Sequence, residues 1–219
     1  FMRCADAKDV IKTVVDLCKT RLPRTYDYYP MWDIQVLSPS KKMRTGTGIL
    51  NQYLREAINP PSPSKKEKKY RDIVFREGDK VMQIRNNYDI YWKKDNGEDG
   101  TGVFNGDIGI LEKIDFDAES FTVRYEDRQA QYTFEMFNEL EPAYAITVHK
   151  SQGSEFPVVI LPLYEGPDAL LHRKLLYTAV TRARNMLIIV GREETVYRMA
   201  KNNKQTQRFS GLKYILKSL

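Results

Sequence analysis

The chain has 219 residues, of which 42% are hydrophobic and 29% are charged, and its formal net charge at pH 7 is +6. These values are typical of a globular protein with a packed core rather than a disordered or fibrous chain. No apolar run approaches the roughly 20 residues of a membrane span, and the N-terminus lacks a signal-peptide pattern, so we expect a cytoplasmic protein with no membrane partner. Two cysteines and two histidines leave no zinc-ligand spacing and no disulfide framework, so no metal site is expected.

The positive charge favours polyanionic partners but does not identify one. Basic residues cluster at 41–44 and again at 65–71, where they follow the Pro/Ser-rich stretch 60–64. The second cluster is predicted to be a solvated linker, with nucleic-acid contact as the alternative. Because the chain opens with Phe1 rather than Met, we also expect it to be a piece of a longer polypeptide.

The first 60 residues are predicted to form a helix followed by a βα unit. Apolar residues at helical spacing, preceded by aspartates, predict a helix over residues 6–20. The apolar run 34–37 predicts a short buried strand. One apolar face between Ile49 and Ile58 predicts a second helix, which Pro60 ends because proline cannot continue a helix.

Between Lys80 and Phe137 the pattern changes to short β-rich runs separated by turn residues. The runs with strand character are 81–84, 108–114, 121–125 and 131–134. Little helical periodicity lies between them, so a small antiparallel barrel is predicted. The acidic, glycine-rich residues 91–102 interrupt this pattern and are predicted to form a long loop.

In the last third of the chain an α/β pattern returns. The continuous apolar runs 158–161 and 186–190 predict buried parallel strands, because such strands are covered on both faces. Residues 170–184 between them are predicted to be helical, as are 193–201 and 212–219.

These patterns together predict an α/β fold, in which a lobe with a parallel sheet is interrupted by a small β-barrel. The predicted parts are the first portion of the lobe at 1–75, the barrel at 76–140 and the second portion of the lobe at 141–219. The sequence contains no G-x-x-x-x-G-K-[ST] loop, and residues 100–105 fail the pattern G-x-G-x-x-G at its last position. The chain is therefore predicted to have no phosphate cradle of its own.

Two stretches carry an unusual density of polar side chains beside the predicted strands. Residues 143–156 place a hydroxyl, an imidazole, an ammonium, an amide and a carboxylate around Gly153, directly before a strand. The stretch is predicted to lie at the edge of a parallel sheet, where ligand sites in α/β proteins usually lie. In residues 170–184, Arg182 falls at the edge of the predicted buried stripe, from which a guanidinium can reach an adjoining surface.

The first stretch contains T-V-H-K-S-Q-G-S-E-F and the second L-Y-T-A-V-T-R-A-R, and these resemble motifs V and VI of superfamily 1 DNA helicases of the RecD/TraA type. Stretches at 34–39, 78–89 and 103–109 resemble the same family, so the likeness covers nearly the whole chain in order. It implies the second of two RecA-like lobes, with an SH3-like barrel inserted. It also implies an ATP-dependent DNA helicase that binds single-stranded DNA, requires ATP and Mg²⁺, and moves 5′ to 3′.

In that family ATP lies between the two lobes. The resemblance implies that a missing N-terminal RecA-like lobe supplies the phosphate loop, the Mg²⁺-binding carboxylate and the catalytic base, while Arg182 is the arginine finger. Gly153 and Glu155 match family positions near the nucleotide. The chain alone is therefore expected to bind no cofactor and to be inert as an ATPase.

The DNA-side residues are implied in the same way. Thr147 and His149 match family positions that face single-stranded DNA. The loop after the first predicted strand is pseudo-symmetric to the DNA-contacting loop of the family's first lobe, and could hold a phosphate. That loop comprises Ser38, Pro39, Ser40 and Lys41.

Plainer interpretations stay open for several of these residues. Outside its motif, His149 would be a structural histidine, Arg182 a helix-surface charge and Glu155 a turn cap. Three aromatic side chains could stack on bases or could pack in the barrel core: Tyr88, Tyr91 and Trp92. For the chain as a whole, the alternative is a non-catalytic nucleic-acid or protein-binding module on a RecA-like scaffold.

Overall fold

The computed structural model describes residues 1–203, so the helix predicted over 212–219 lies outside the described residues. The described part contains a five-stranded sheet, a seven-stranded sheet, a two-stranded hairpin and five α-helices. The helices are α1 (Ala7–Asp16), α2 (Leu22–Tyr26), α3 (Thr47–Ile58), α4 (Arg173–Val180) and α5 (Glu193–Lys201). The predicted α/β class, with a parallel sheet interrupted by an antiparallel barrel, is confirmed.

The five-stranded sheet is parallel throughout and forms the lobe. Its strands, in spatial order, are β1 (Met2–Arg3), β14 (Ala183–Gly191), β13 (Phe156–Leu163), β2 (Ile34–Ser38) and β12 (Ala145–Thr147). Successive side chains point to opposite faces, so Val36 and Ile160 pack on one side while Leu37 and Val159 pack on the other. Helices α1 and α3 cover the first face, and α4 and α5 cover the second.

The first helical segment is longer than its prediction. Asp6 caps α1, and its carboxylate accepts two backbone hydrogen bonds from the first turn. After α1 the chain passes through a π-helical turn, Leu17–Arg21, and continues into α2. The segment extends beyond the predicted 6–20 because Cys18 and Leu22 are buried and hold the extra turns against the lobe core.

The seven-stranded sheet is antiparallel and forms the barrel. Its strands, in spatial order, are β11 (Leu140–Pro142), β5 (Lys80–Gln83), β8 (Ile108–Asp115), β9 (Ser120–Arg124), β10 (Arg128–Thr133), β6 (Asn87–Lys94) and β7 (Asp99–Val103). A hairpin of β3 (Glu67–Tyr70) and β4 (Ile73–Arg76) packs against the same core. Aromatic rings stack inside it, with the centroid of Phe137 lying 4.0 Å from that of Phe121 and 4.8 Å from that of Phe75.

Two segments that were predicted to be irregular are β-hairpins. Residues 91–102, predicted as a loop, lie in β6 and β7 and in the turn between them. The basic cluster 65–71, predicted as a linker, contributes β3 of the hairpin whose Phe75 enters the barrel core. The strand character of β6 is visible in its alternation, since Ile90 is buried and Trp92 half-buried between exposed neighbours.

The helix predicted over 170–184 is too long. Helix α4 ends at Val180, and β14 begins at Ala183, which pairs with Phe156 of β13. Strand pairing in the lobe sheet therefore takes precedence over the helical periodicity of the last residues. As a result, Arg182 lies in a turn between a helix and a strand.

A buried polar network joins the barrel to the lobe. Asp79, directly before β5, is 3% exposed, and its Oδ1 accepts hydrogen bonds from Arg55 Nε at 2.9 Å and from Asn59 Nδ2 at 2.8 Å. The hydroxyl of Tyr144 donates to the same oxygen at 3.1 Å. Arg55 belongs to α3, Asn59 follows it and Tyr144 packs in the lobe core, so a carboxylate at the start of the barrel sheet gathers its donors from the lobe.

Lys80 forms a second link between the two parts. Its ammonium is buried and donates to the carbonyl oxygen of Ile34, at the start of β2, at 3.0 Å. The barrel sheet thus begins at a residue anchored in the lobe. The predicted divisions 1–75, 76–140 and 141–219 stay predictions.

Candidate functional site

The predicted site residues fall into two groups at the two ends of the parallel strands. Those expected near ATP lie where β13 and β14 begin, at the paired residues Phe156 and Ala183. Those expected near DNA lie where β2 and β12 end, at the paired residues Ser38 and Thr147. In the register of β2 with β13, Ser38 is level with Pro162, so the two ends are about 20 Å apart along the strands.

Arg182 is held in the turn between α4 and β14. Its guanidinium donates hydrogen bonds to the carbonyl oxygens of Thr178 and Ser154, at 3.2 and 2.9 Å. A third bond goes to the hydroxyl of Thr181 at 3.1 Å. A guanidinium has five N–H groups, so two of them remain uncommitted within the described part of the chain.

Gly153 and Glu155 lie in the exposed turn before β13. Gly153 has φ = +89°, a left-handed conformation that glycine adopts without strain, and a Cβ added there would stand in open space. The Oε2 atom of Glu155 lies 3.4 Å from Nε of Arg184, and both side chains are exposed. The structure therefore brings Gly153, Glu155 and Arg182 together at the end of the sheet where β13 and β14 begin, and Arg184 lies beside them. This end is called the nucleotide edge below.

The barrel borders this same edge of the lobe. Glu155 and Arg184 line a cleft of about 550 Å³ together with Asp95 and Arg124 of the barrel and Trp32 of the lobe. Asp95 and Arg124 form an ion pair at 2.8 Å. The cleft therefore presents charges of both signs close to the predicted nucleotide edge.

The loop after β2 divides into a buried and an exposed half. Ser38 is fully buried, and its hydroxyl is directed at the carbonyl oxygens of Ser40 and Thr45, 3.1 and 2.9 Å away. Pro39 is also buried, whereas Ser40 is half-buried and Lys41 is exposed. Ser38 and Pro39 therefore shape the loop from inside, and only its second half presents polar groups to a ligand.

Thr147 and His149 lie at and just beyond the end of β12. Thr147 is half-buried, and His149 is exposed in the 3-10 turn Val148–Ser151. Among residues 1–203 the His149 ring has no hydrogen-bond partner, which leaves it accessible. A groove of about 320 Å³ opens beside this strand end, and Thr147, Lys41, Lys150 and Glu141 contribute to its lining.

Glu141, in β11, lies between the two lysines of this groove. Its Oε1 atom is 3.1 Å from Nζ of Lys41, and its Oε2 atom is 2.9 Å from Nζ of Lys150. Partial burial raises the pKa of the Glu141 carboxyl, but hydrogen bonds and charge from Lys150 and Lys41 outweigh it and hold this pKa below its usual value. Sequence reasoning gave no role to Lys150 or Glu141. Lys150 lies inside the first polar stretch, whereas no sequence signal marks Glu141.

The aromatic residues weighed for base stacking differ in exposure. Tyr88 and Tyr91 are exposed, at 66% and 41%, whereas Trp92 is half-buried and its ring lies 5.5 Å from the guanidinium of Arg128. Within residues 1–203, no group of three or more His, Cys, Asp or Glu side chains is arranged to hold a metal ion. No α-helix in that range has the length and apolar character needed to cross a membrane.

Two protein-family models match the chain. The ATP-dependent RecD-like DNA helicase SH3 domain matches residues 50–125, which include most strands of the barrel. The UvrD-like helicase C-terminal domain matches residues 142–190. Both polar stretches singled out from the sequence lie within the second match.

Curated relatives include three proteins that are much longer than this chain. It is 35% identical over 159 residues to the ATP-dependent RecD2 DNA helicase of Deinococcus radiodurans, which aligns 72% of this chain with 20% of that protein. It is 30% identical over 154 residues to the RecBCD enzyme subunit RecD of Haemophilus influenzae, which aligns 67% of this chain with 22% of that protein. It is 35% identical over 181 residues to an uncharacterized protein of Methanocaldococcus jannaschii, which aligns 74% of this chain with 15% of that protein. The chain thus spans less than a quarter of the length of each of these relatives.

Two solved structures share the fold. The Pif1 helicase from Bacteroides in complex with ADP-AlF3 and ssDNA has a TM-score of 0.50 at 16% identity, covering 98% of this chain and 50% of that one. The Pif1 helicase from Candida albicans also has a TM-score of 0.50, at 13% identity, covering 97% and 54%. The chain therefore matches, in this order, the RecD-like SH3 domain and the UvrD-like C-terminal domain, and it belongs with the RecD-type proteins.

Proposed function

We propose that the chain is the C-terminal motor lobe of an ATP-dependent DNA helicase. It supplies the arginine finger to ATP held by a preceding lobe, and it forms part of the track for single-stranded DNA. The observation that carries this proposal is the separation of the two residue groups at opposite ends of one parallel sheet. A lobe built in this way can contact nucleotide and DNA at the same time without the two ligands competing for one surface.

The geometry of Arg182 supports the nucleotide half of the proposal. Three hydrogen bonds orient the guanidinium, so little conformational freedom is lost when a phosphate binds to the two remaining N–H groups. A guanidinium held at the γ-phosphoryl group stabilises the negative charge that develops in the transition state. Gly153, which lacks a Cβ, lets the backbone approach the nucleotide closely, and Glu155 lies beside it.

The groups required for the rest of the chemistry are proposed to come from outside the chain. The sequence has no phosphate-loop motif, and residues 1–203 contain no group of three or more His, Cys, Asp or Glu side chains that could hold a metal ion. We therefore assign the phosphate loop, the Mg²⁺-binding carboxylate and the catalytic base to a preceding RecA-like lobe of a longer protein. On this assignment, the 219-residue chain does not hydrolyse ATP by itself.

The groove at the other end of the sheet supports the DNA half. Lys41 and Lys150 present two ammonium groups beside the hydroxyl of Thr147, and His149 is exposed close by in sequence. Ammonium and hydroxyl groups bind phosphate oxygens, and phosphate contacts carry no sequence information, so binding through this groove should tolerate any sequence. The resemblance to RecD-type helicases implies movement from 5′ to 3′ along the bound strand.

The experiment measures phosphate release from ATP, with and without oligothymidine. It compares the 219-residue chain with a protein in which a lobe carrying a phosphate loop precedes the same chain. DNA-stimulated turnover is expected only from the longer protein. Turnover by the purified chain would contradict the assignment of the phosphate loop to another lobe. A longer protein without turnover would favour the non-catalytic binding module instead.

A further inference from the structure

The carboxylate of Glu141 occupies the space between the two lysines of the candidate DNA groove. Lys41 follows β2 and Lys150 follows β12, and these strands are adjacent and parallel, so both lysines lie at the same end of the sheet. Glu141 reaches them from β11, a strand of the barrel sheet. Each of its two carboxylate oxygens contacts one ammonium group, at 3.1 and 2.9 Å.

We propose that Glu141 is an internal competitor for a DNA phosphate: its carboxylate bridges Lys41 and Lys150 in the DNA-free chain, and a phosphodiester of single-stranded DNA displaces it. This inference rests on the proposed function and deepens it, because it identifies one phosphate position and the group that occupies it in the absence of DNA. A carboxylate and a phosphodiester both present two anionic oxygens that can accept charge-assisted hydrogen bonds from a pair of ammonium groups.

The burial of the three side chains makes this exchange feasible. The exposed fractions of the Lys41, Lys150 and Glu141 side chains are 65%, 37% and 29%, so water reaches all of them. Ion pairs at such positions contribute little stability, and breaking them costs little. The backbone of Glu141 is fixed by pairing with Met82, so only its side chain has to rotate away.

The rest of the groove is suited to a phosphate once Glu141 has moved. Thr147 lines it, and the hydroxyl of Thr147 has no hydrogen-bond partner among residues 1–203. Asn51, also in the lining, is already committed, because its amide donates to the carbonyl oxygens of Pro142 and Ala145. The groove floor is therefore tied down, while the two ammonium groups and one hydroxyl stay available to a ligand.

The test measures binding of the 219-residue chain to fluorescein-labelled oligothymidine by anisotropy across a salt series. Glu141→Gln keeps the shape of the side chain but removes its charge. Glu135→Gln is the matched control, since Glu135 is an exposed barrel glutamate with the same change in net charge. The same two substitutions are repeated in a Lys41→Gln/Lys150→Gln background, and thermal melting verifies that each variant is folded.

We expect Glu141→Gln to bind roughly three- to tenfold tighter than both wild type and Glu135→Gln, since two weak ion pairs no longer compete with the phosphate. In the background without the two lysines this gain should disappear. Equal affinity of Glu141→Gln and Glu135→Gln, or a gain that persists without the lysines, would overturn the competitor role while leaving the DNA track intact. A wild-type chain and a Glu141→Gln variant that both fail to bind at low salt would overturn the DNA track as well.

Discussion

The guanidinium of Arg182 donates a hydrogen bond to the carbonyl oxygen of Ser154 at 2.9 Å, and this bond joins the two polar stretches of the sequence. A backbone bond runs the other way, from the N–H of Phe156 to the carbonyl oxygen of Arg182 at 2.8 Å. The turn before β13 therefore sets the position of Arg182. On the proposed arginine-finger role, changes in that turn should lower ATP turnover through the position of the guanidinium, even where they contact no ligand.

Arg182→Ala, in a protein that also carries the preceding lobe, should abolish most ATP hydrolysis and spare DNA binding. An arginine finger contributes roughly 10³- to 10⁵-fold in turnover, and Arg182→Lys should rescue poorly because lysine lacks the planar fork. Phosphate release at saturating ATP and DNA measures the loss, with anisotropy as the binding check.

The matched control for this prediction is Arg198→Ala. Arg198 is an exposed arginine in α5 whose guanidinium pairs with Asp168, away from the predicted nucleotide edge. Its loss should change turnover hardly at all, and stability by less than about 0.5 kcal/mol. If Arg182→Ala behaved like Arg198→Ala, Arg182 would be a structural residue of its turn and the arginine-finger assignment would fail.

Gly153→Ala should lower stability, because it strains the backbone, and should lower ATP turnover, because its Cβ would occupy the open space through which the nucleotide is proposed to approach. The residue has φ = +89°, which costs an L-amino acid about 1–2 kcal/mol, while a Cβ there meets no atom within 4 Å. Gly97→Ala is a close comparison, since Gly97 has φ = +90° and equally open surroundings in the turn between β6 and β7. Thermal melting should show similar losses for both variants, but only Gly153→Ala should slow phosphate release. Equal turnover of the two variants would separate Gly153 from the nucleotide edge.

Sequence reasoning predicted the lobe well because its central strands are apolar without interruption. The runs 158–161 and 186–190 predict buried parallel strands. The structure has both as parallel strands, with 158–161 buried in β13 and 186–189 half-buried in β14. Sequence reasoning failed where pairing with another strand decides the conformation of a segment. Residues 183–185 (Ala-Arg-Asn) have no strand pattern of their own. They belong to β14 because Ala183 pairs with Phe156 and Met186 pairs with Val158 of β13, with an irregular register between these two pairs.

The candidate site was predictable only as far as its motifs extend. The polar stretches identified Arg182, Gly153, Glu155, Thr147 and His149 without the structure, and their grouping at two sheet ends follows from strand register, which a linear pattern does not contain. Glu141 has no local signal, since its role depends on two lysines that lie 100 and 9 residues away along the chain.

Asp79→Ala should destabilise the whole chain by about 3–5 kcal/mol, because it leaves the guanidinium of Arg55, whose side chain is only 16% exposed, without a counter-charge. Urea unfolding followed by tryptophan fluorescence measures this loss, and it reports on both parts, since Trp32 lies in the lobe and Trp92 in the barrel. Wild type is expected to unfold in a single transition. Asp127→Ala, which removes an exposed carboxylate, should cost less than about 1 kcal/mol. Separate transitions for the two tryptophans would show that the Asp79 network does not couple barrel and lobe.

Replacing the buried Lys80 should change how stability depends on pH. Burial lowers the pKa of the Lys80 ammonium from 10.5 to about 8, against the opposing effect of Cys18 and Asp33. Between these two values the unfolded chain keeps a proton that the folded chain has lost, so this group makes the free energy of unfolding rise with pH. Lys80→Met removes that contribution, and comparing it with wild type cancels the titration of the groups that do not interact with Lys80. From pH 7 to about pH 9.5, wild type should gain about 2 kcal/mol relative to Lys80→Met in urea unfolding. A constant difference between the two proteins would mean that Lys80 titrates as it does in water, and that its link to Ile34 is not a buried one.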